Sequence, residues 1–313
     1  MRPWRTLAFL AFGLCVISGI VARGSSSPRS GDWTLRKSDE PGKVQFSLME
    51  HHRGGISSHE SDWPTTLFQG VDFSKSGRQD VRFTITRDAG KLDCEGFLNN
   101  GEGAGVFHFQ PDANYAREMQ SLGFPVDEDK QYSLVVQDVS LEFARQMKNE
   151  HLTNLDTDKL IAFRIFKVNT AFIEELRAAG LNISDSDKLV AFRIHGVTPP
   201  MVRSLHQAGY SPDEDTLIAM RIHGATPEWM EDLKKRGYDH VDLEQLIAFR
   251  IHGVSPEFIG KLQGLGYSHP DPDELVAMCI HNVMPEYIAE LRARGMQNLT
   301  VDQLVSLRIH GIN

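Results

Sequence analysis

The chain reads as an α+β protein, a small antiparallel β domain followed by an α-solenoid of two-helix repeats. Three observations predict this. A signature returns every 28 or 29 residues, as Phe192-Arg-Ile-His-Gly-Val-Thr-Pro199, Met220-Arg-Ile-His-Gly-Ala-Thr-Pro227, Phe249-Arg-Ile-His-Gly-Val-Ser-Pro256, Met278-Cys-Ile-His-Asn-Val-Met-Pro285 and a truncated Leu307-Arg-Ile-His-Gly311, which marks a tandem array. From Gly31 to about Gln110 apolar and polar residues alternate with period two, and beyond Gln110 the period is that of a helix. The expected divisions are therefore a leader at 1–24, a β domain at 25–110 and helical repeats at 111–313.

The leader begins Met1-Arg-Pro-Trp-Arg5, runs through an apolar stretch from Leu7 to Val21 and ends Ala22-Arg23-Gly24 ahead of three serines. That is the n-region, h-region and small-residue cleavage site of a secretory signal peptide. The apolar stretch is shorter than the ~20 residues of a spanning helix, so export to the periplasm or the extracellular space is expected, with membrane contact only through this segment if it is retained. Cys15 follows Leu14 and is not read as a lipidated cysteine.

A formal net charge of −9 without a basic stretch argues against nucleic acid and anionic membrane surfaces as partners. Beyond the leader only Cys94 and Cys279 occur, at positions that suggest no disulfide framework.

In the β domain, Asp80–Thr86 and Lys91–Phe97 alternate around the turn Arg87-Asp-Ala-Gly90, which predicts a hairpin. Val106–Phe109 follows a glycine-rich stretch as a third strand, and Trp33–Lys37 and Lys43–Met49 supply two more. The segment from His51 to Asp62 reads as a solvated hairpin loop. Its His51, His52 and His59 are the candidate ligands of an alternative reading, a metal-binding protein or metal-dependent hydrolase with Asp62 nearby. His59 precedes Glu60, but Trp63 stands where a metalloprotease helix needs its second histidine.

A half unit (111–130) and a degenerate unit (131–159) introduce the array, and regular units begin at Leu160, Leu189, Leu217, Leu246 and Leu275, with a final half unit at Leu304. The first helix of a unit, such as Leu217–His223, is apolar at nearly every position except Arg and His, which predicts an inner layer covered on most sides. Ser211-Pro-Asp-Glu214 and Thr300-Val-Asp-Gln303 match the capping box at its entrance. Gly224 suits its left-handed exit; Asn282 substitutes there and Lys167 departs from the pattern. The second helix carries Thr198, Thr226 or Ser255 as N-cap and Pro199, Pro227 or Pro256 at its first position. It ends at Gly209, Gly237, Gly266 and Gly295, and the residue after each is placed to touch the leucine five before it, as in a Schellman cap. A unit this short cannot bury its own apolar face, so successive units stack into a shared core, with the β domain over one end.

His195, His223, His252, His281 and His310 form one ladder, and Arg164, Arg193, Arg221, Arg250 and Arg308 form another two positions earlier. Zinc ligands sit within ~4 Å of each other, whereas in-register positions on packed helices are about 8–10 Å apart. The histidines are therefore read as a structural ladder at helix C-termini, where a ring bonds a free carbonyl. The arginines are expected to hold carboxylates of neighbouring loops such as 213–215. Arg193, Arg221 and Arg250, with Trp229 from the aromatic positions of the second helices, are the candidate partner-binding residues.

The unit seen at Leu246 to Leu262 resembles repeats of bacterial exported proteins of unknown role and of the C-terminal extensions of BlaR-like antirepressor metallopeptidases. The resemblance covers 111–313, and the segment from Arg87 to Phe109 looks like the β region that accompanies such repeats. It implies a partner peptidase or sensor. Those peptidases have a His-Glu-x-x-His helix and several membrane spans, which this chain lacks, so no catalytic residue carries over. No Ser-His-Asp, Cys-His or phosphate-loop constellation occurs and no cofactor is expected. The expected function is that of a non-enzymatic exported scaffold binding a protein or an envelope component.

Overall fold

A computed structural model describes residues 29–52 and 55–312; the segment read as a signal peptide, 1–24, lies outside them. Six strands form the β domain: Ser30–Lys37 (β1), Lys43–His52 (β2), Gly55–Pro64 (β3), Arg78–Arg87 (β4), Gly90–Asn99 (β5) and Glu102–Pro111 (β6). They build one antiparallel sheet in the order β3-β2-β1-β6-β5-β4. The hairpin expected around Asp88-Ala89 joins β4 to β5, with Arg87 opposite Gly90.

Alternation sends Trp33, Leu35, Phe46, Leu48, Phe83, Ile85, Leu92 and Phe107 into the core. Gly96 and Gly105 lie side by side on that face, and a Cβ on either would stand 2.7 Å from the Trp33 indole. The indole thus packs where only glycine leaves room.

One expectation is corrected here. The described residues of the polar segment from His51 to Asp62 are not a loop: His51 and His52 end β2, and residues 55–62 are most of β3, an edge strand paired with β2 along its length. Most β3 side chains face solvent and only Trp63 is buried in that strand, so its composition imitates a loop.

Fourteen helices follow among the described residues. The even-numbered ones are the first helices of the units: Glu128–Val136 (α2), Thr157–Ile165 (α4), Ser186–His195 (α6), Glu214–His223 (α8), Leu243–His252 (α10), Pro272–Ile280 (α12) and Val301–Ile309 (α14). Each packs on the next in one continuous row. The second helices are Ala113–Leu122 (α1), Leu141–Asn149 (α3), Thr170–Ala178 (α5), Pro199–Gln207 (α7), Pro227–Lys234 (α9), Pro256–Gly264 (α11) and Pro285–Ala293 (α13), and they make the other layer.

The local instructions act as their chemistry requires. Thr198, Thr226 and Ser255 cap α7, α9 and α11 ahead of a proline. The amides of Tyr210, Tyr238, Tyr267 and Met296 reach back to the carbonyls of Leu205, Leu233, Leu262 and Leu291 at 2.9–3.2 Å. Lys167 and Asn282 adopt φ of 58° and 55° in the place of the glycines. Thr300 and Gln303 form the expected capping box. Ser211 does not cap: Asp213 is the N-cap of α8, its carboxylate accepting from the Thr216 amide at 2.7 Å. Asp156, Asp185, Asp242 and Asp271 hold the equivalent position on α4, α6, α10 and α12.

The β domain covers the N-terminal end of the array. Tyr132 of α2 meets Phe107 and Phe109, Gln131 donates to the carbonyls of Ala89 and Asp112 at 2.7 Å, and Tyr115 donates to Val139 O at 2.8 Å. One hydrophobic core runs unbroken from Trp33 in β1 to Ala225 beyond α8, and a second continues from Leu233 to Leu304.

Candidate functional site

Within the repeated signature, nearly every residue has a packing or capping duty. Phe192, Met220, Phe249 and Met278 are fully buried, as are Val197, Ala225, Val254 and Val283 after the turn. The glycine supplies a positive φ, the hydroxyl caps and the proline opens the next helix.

The arginines are staples. Arg164, Arg221, Arg250 and Arg308 donate through Nε to the carbonyls of Gln137, His195, His223 and Asn282 at 3.1 Å, and Arg193 donates through Nη2 to Lys167 O at 2.7 Å. Each bond satisfies a carbonyl left free at the end of the preceding unit's first helix. The guanidinium also lies over an aromatic ring of the preceding second helix: Arg164 on Phe143, Arg193 on Phe172, Arg250 on Trp229 and Arg308 on Tyr287, at 3.7–5.4 Å from the centroids. The expected loop carboxylates are not the partners of Arg193, Arg221 or Arg250. Trp229 is half-buried between these layers, and its Nε1 is enclosed without an acceptor. The structure thus places all four candidate partner-binding residues in the joints between units.

What remains is the isoleucine between arginine and histidine, and the histidine itself. Ile165, Ile194, Ile222, Ile251, Ile280 and Ile309 are between 46 and 59 % exposed. His223, His252, His281 and His310 are exposed beside them and His195 is half-buried; His310 bonds Ser306 O at 2.8 Å, the one such ring bond shown within the ladder. The expectation that the first helices are covered on most sides is therefore corrected. On α8, Leu217 and Met220 are buried, whereas Asp215, Ile218, Ala219 and Ile222 share the opposite, open face. The same four positions recur on α4, α6, α10 and α12, and on α14 with Ser306 replacing alanine.

The open face is thus a band that crosses all six helices. Its outer row is the exposed isoleucines, its middle row is half-buried Ile or Val with Ala, and its far edge is acidic: Asp158, Asp187, Asp215, Glu244, Asp273 and Asp302. Acid and isoleucine are seven residues apart, about 10.5 Å along a helix. With neighbouring helices about 8–10 Å apart, the six rungs extend over about 45 Å. Sequence reasoning passed over this row although isoleucine stands at that position in every regular unit and in the final half unit, while the core positions vary between Phe, Met and Leu.

His51 and His59 lie on opposite faces of the β hairpin. His51 lies opposite Ile56 and bonds Asp32 at 2.7 Å on the outer face of the sheet. His59 lies opposite Leu48, on the core-facing side, and bonds Gln137 at 3.2 Å and Ser61 at 3.1 Å. His52 ends β2 opposite Gly55. Among the described residues, no group of three or more His, Cys, Asp or Glu stands close enough to hold a metal. Burial and the neighbouring Arg87 charge hold the His59 imidazole below its ordinary value. Arg87 itself is pushed down to about 10 by burial; it lies 4.0 Å from the Trp63 ring centroid and donates to Val135 O and Val136 O. These groups lock the sheet to α2.

No protein-family model matches the chain, and no curated protein matches it.

Proposed function

We propose that this chain is a non-enzymatic, exported scaffold that binds another protein, or an envelope component, on the open face of its first-helix layer. The observation that carries the reading is the row of six exposed isoleucines. The packing, capping and stapling that explain the other repeated residues do not require them. A row of large apolar side chains held at fixed intervals on a rigid layer is a surface that gains by being covered. The exported location rests on the signal-peptide reading of 1–24.

The test is capture from envelope extracts by chemical cross-linking with three forms of the mature protein. These are the wild type, an Ile222→Glu/Ile251→Glu/Ile280→Glu variant, and an Ala178→Glu/Ala289→Glu/Ala293→Glu variant that adds equal charge to exposed positions on the second helices. A species held by the first and third forms and lost from the second is the expected result. Equal capture by all three sinks the reading.

A further inference from the structure

We infer that the last four of the six rungs of this band, at Ile222, Ile251, Ile280 and Ile309, receive an amphipathic α-helix from another protein, with a basic flank against the last three. The inference rests on the docking-face reading and adds the chemistry of what docks.

Geometry selects a helix. The band is about 10.5 Å from acid to isoleucine, and a helix with its side chains is about 10–12 Å across. Rungs recur every 8–10 Å or so, close to the ~10.5 Å between residues i and i+7 of a helix laid along the array. One seam residue every two turns then meets each rung. Same-face residues of a strand are only about 6.4–6.8 Å apart, so they miss the adjacent rung and meet at best every second one. Four rungs span roughly 24–30 Å, which is about 16–20 helical residues.

Charge selects its flank and its place. On the first three rungs each acid is paired with a lysine of the preceding unit: Lys130 with Asp158 at 2.9 Å, Lys159 with Asp187, and Lys188 with Asp215. The lysine position then becomes Thr216, Gln245, Glu274 and Gln303, so Glu244, Asp273 and Asp302 border the band with no lysine from the preceding unit to pair them. A second copy laid band to band offers no basic flank, because its own band is edged by the same acids.

The experiment uses the mature protein and two synthetic 18-residue helical peptides with identical leucine faces, one flanked by lysine and the other by glutamate, read by fluorescence anisotropy. The lysine peptide is expected to bind roughly tenfold or more tightly than the glutamate peptide, as three partly exposed charge pairs allow. Ile251→Glu/Ile280→Glu should abolish its binding. Glu244→Lys/Asp273→Lys/Asp302→Lys should invert the preference, and the milder Glu244→Gln/Asp273→Asn/Asp302→Asn should weaken it. A control reversal at Glu174, Glu231 and Glu290, exposed on the second helices, should leave it in place. Equal binding of the two peptides, or equal loss in the control, overturns the inference. So does a wild-type dimer in light scattering that the isoleucine variant dissociates, because a second copy would then own the face. If neither peptide binds while the isoleucine variant still loses its cross-linked species, only the inference falls; if that species is also retained, the docking-face reading falls with it.

Discussion

The guanidinium of Arg250 lies over the indole of Trp229, 5.2 Å from the ring centroid, while its Nε donates to the His223 carbonyl at 3.1 Å. One side chain thereby ties α10 to both helices of the preceding unit. It satisfies a carbonyl that the helix end leaves free, and it holds a flat cation on a flat ring. Repetition of this joint makes the layer rigid enough to present a regular outer face.

Arg250→Ala is expected to destabilise the protein by about 1–3 kcal/mol, the loss of a charged hydrogen bond together with a cation–ring contact. Arg250→Lys should recover little of it, since an ammonium lacks the planar fork. Urea unfolding followed by circular dichroism measures both, and wild-type stability in either variant would refute the joint.

Cys279 occupies the arginine position of its unit, and Phe258 of the preceding second helix holds the position of Trp229 in the repeat. A Cβ on Gly196 or Gly224 would stand 2.9 Å from Arg221 or 2.8 Å from Arg250, whereas one on Gly253 meets nothing within 4 Å. The space for a guanidinium is there. Cys279→Arg should therefore reach the His252 carbonyl and stabilise the array by about 0.5–1.5 kcal/mol; a lower melting temperature would contradict this.

Ile251 is 48 % exposed, so Ile251→Glu should change folding stability by no more than about 0.5 kcal/mol. Phe249→Ala, two residues earlier and fully buried, should cost about 3–5 kcal/mol. Paired thermal melts distinguish the two, and a large loss in the isoleucine variant would mean that its face is packed.

His59 gives the β domain an acid sensitivity. Its folded value lies below the ordinary one because of burial and the Arg87 charge, so the native state binds the proton less well than the unfolded chain. Stability is full above about pH 6.5, the unfolded value, and is lost as the pH falls towards the depressed folded value. Unfolding midpoints measured from pH 7.5 to 5 should decline in the wild type and decline less in His59→Gln. Parallel slopes would remove His59 from the account.

The resolving power of the sequence varied by element. Capping hydroxyls, N1 prolines and terminal glycines were legible because each acts on its own helix end, within four or five residues. Tyr210, Tyr238 and Tyr267 were legible as caps, but their hydroxyls donate to the carbonyls of Val241, Pro270 and Leu299 in the next unit, a contact that spacing alone does not reveal. The edge strand β3 was misread because an edge strand needs few apolar residues. The aspartate N-caps were a signal present in the sequence and passed over in favour of Ser211.

Periodicity and local chemistry determined the α+β class, the hairpin at Asp88-Ala89 and the two-helix unit, since such features are encoded over distances shorter than one repeat. Which face of an apolar helix is covered depends on where its neighbours lie, and only stacking decides that. Leu217, Ile218, Met220 and Ile222 are equally apolar as letters. The adjoining α6, α10 and second-helix layer enclose the first and third and leave the last in solvent, so the candidate docking face emerges from packing and from nothing shorter.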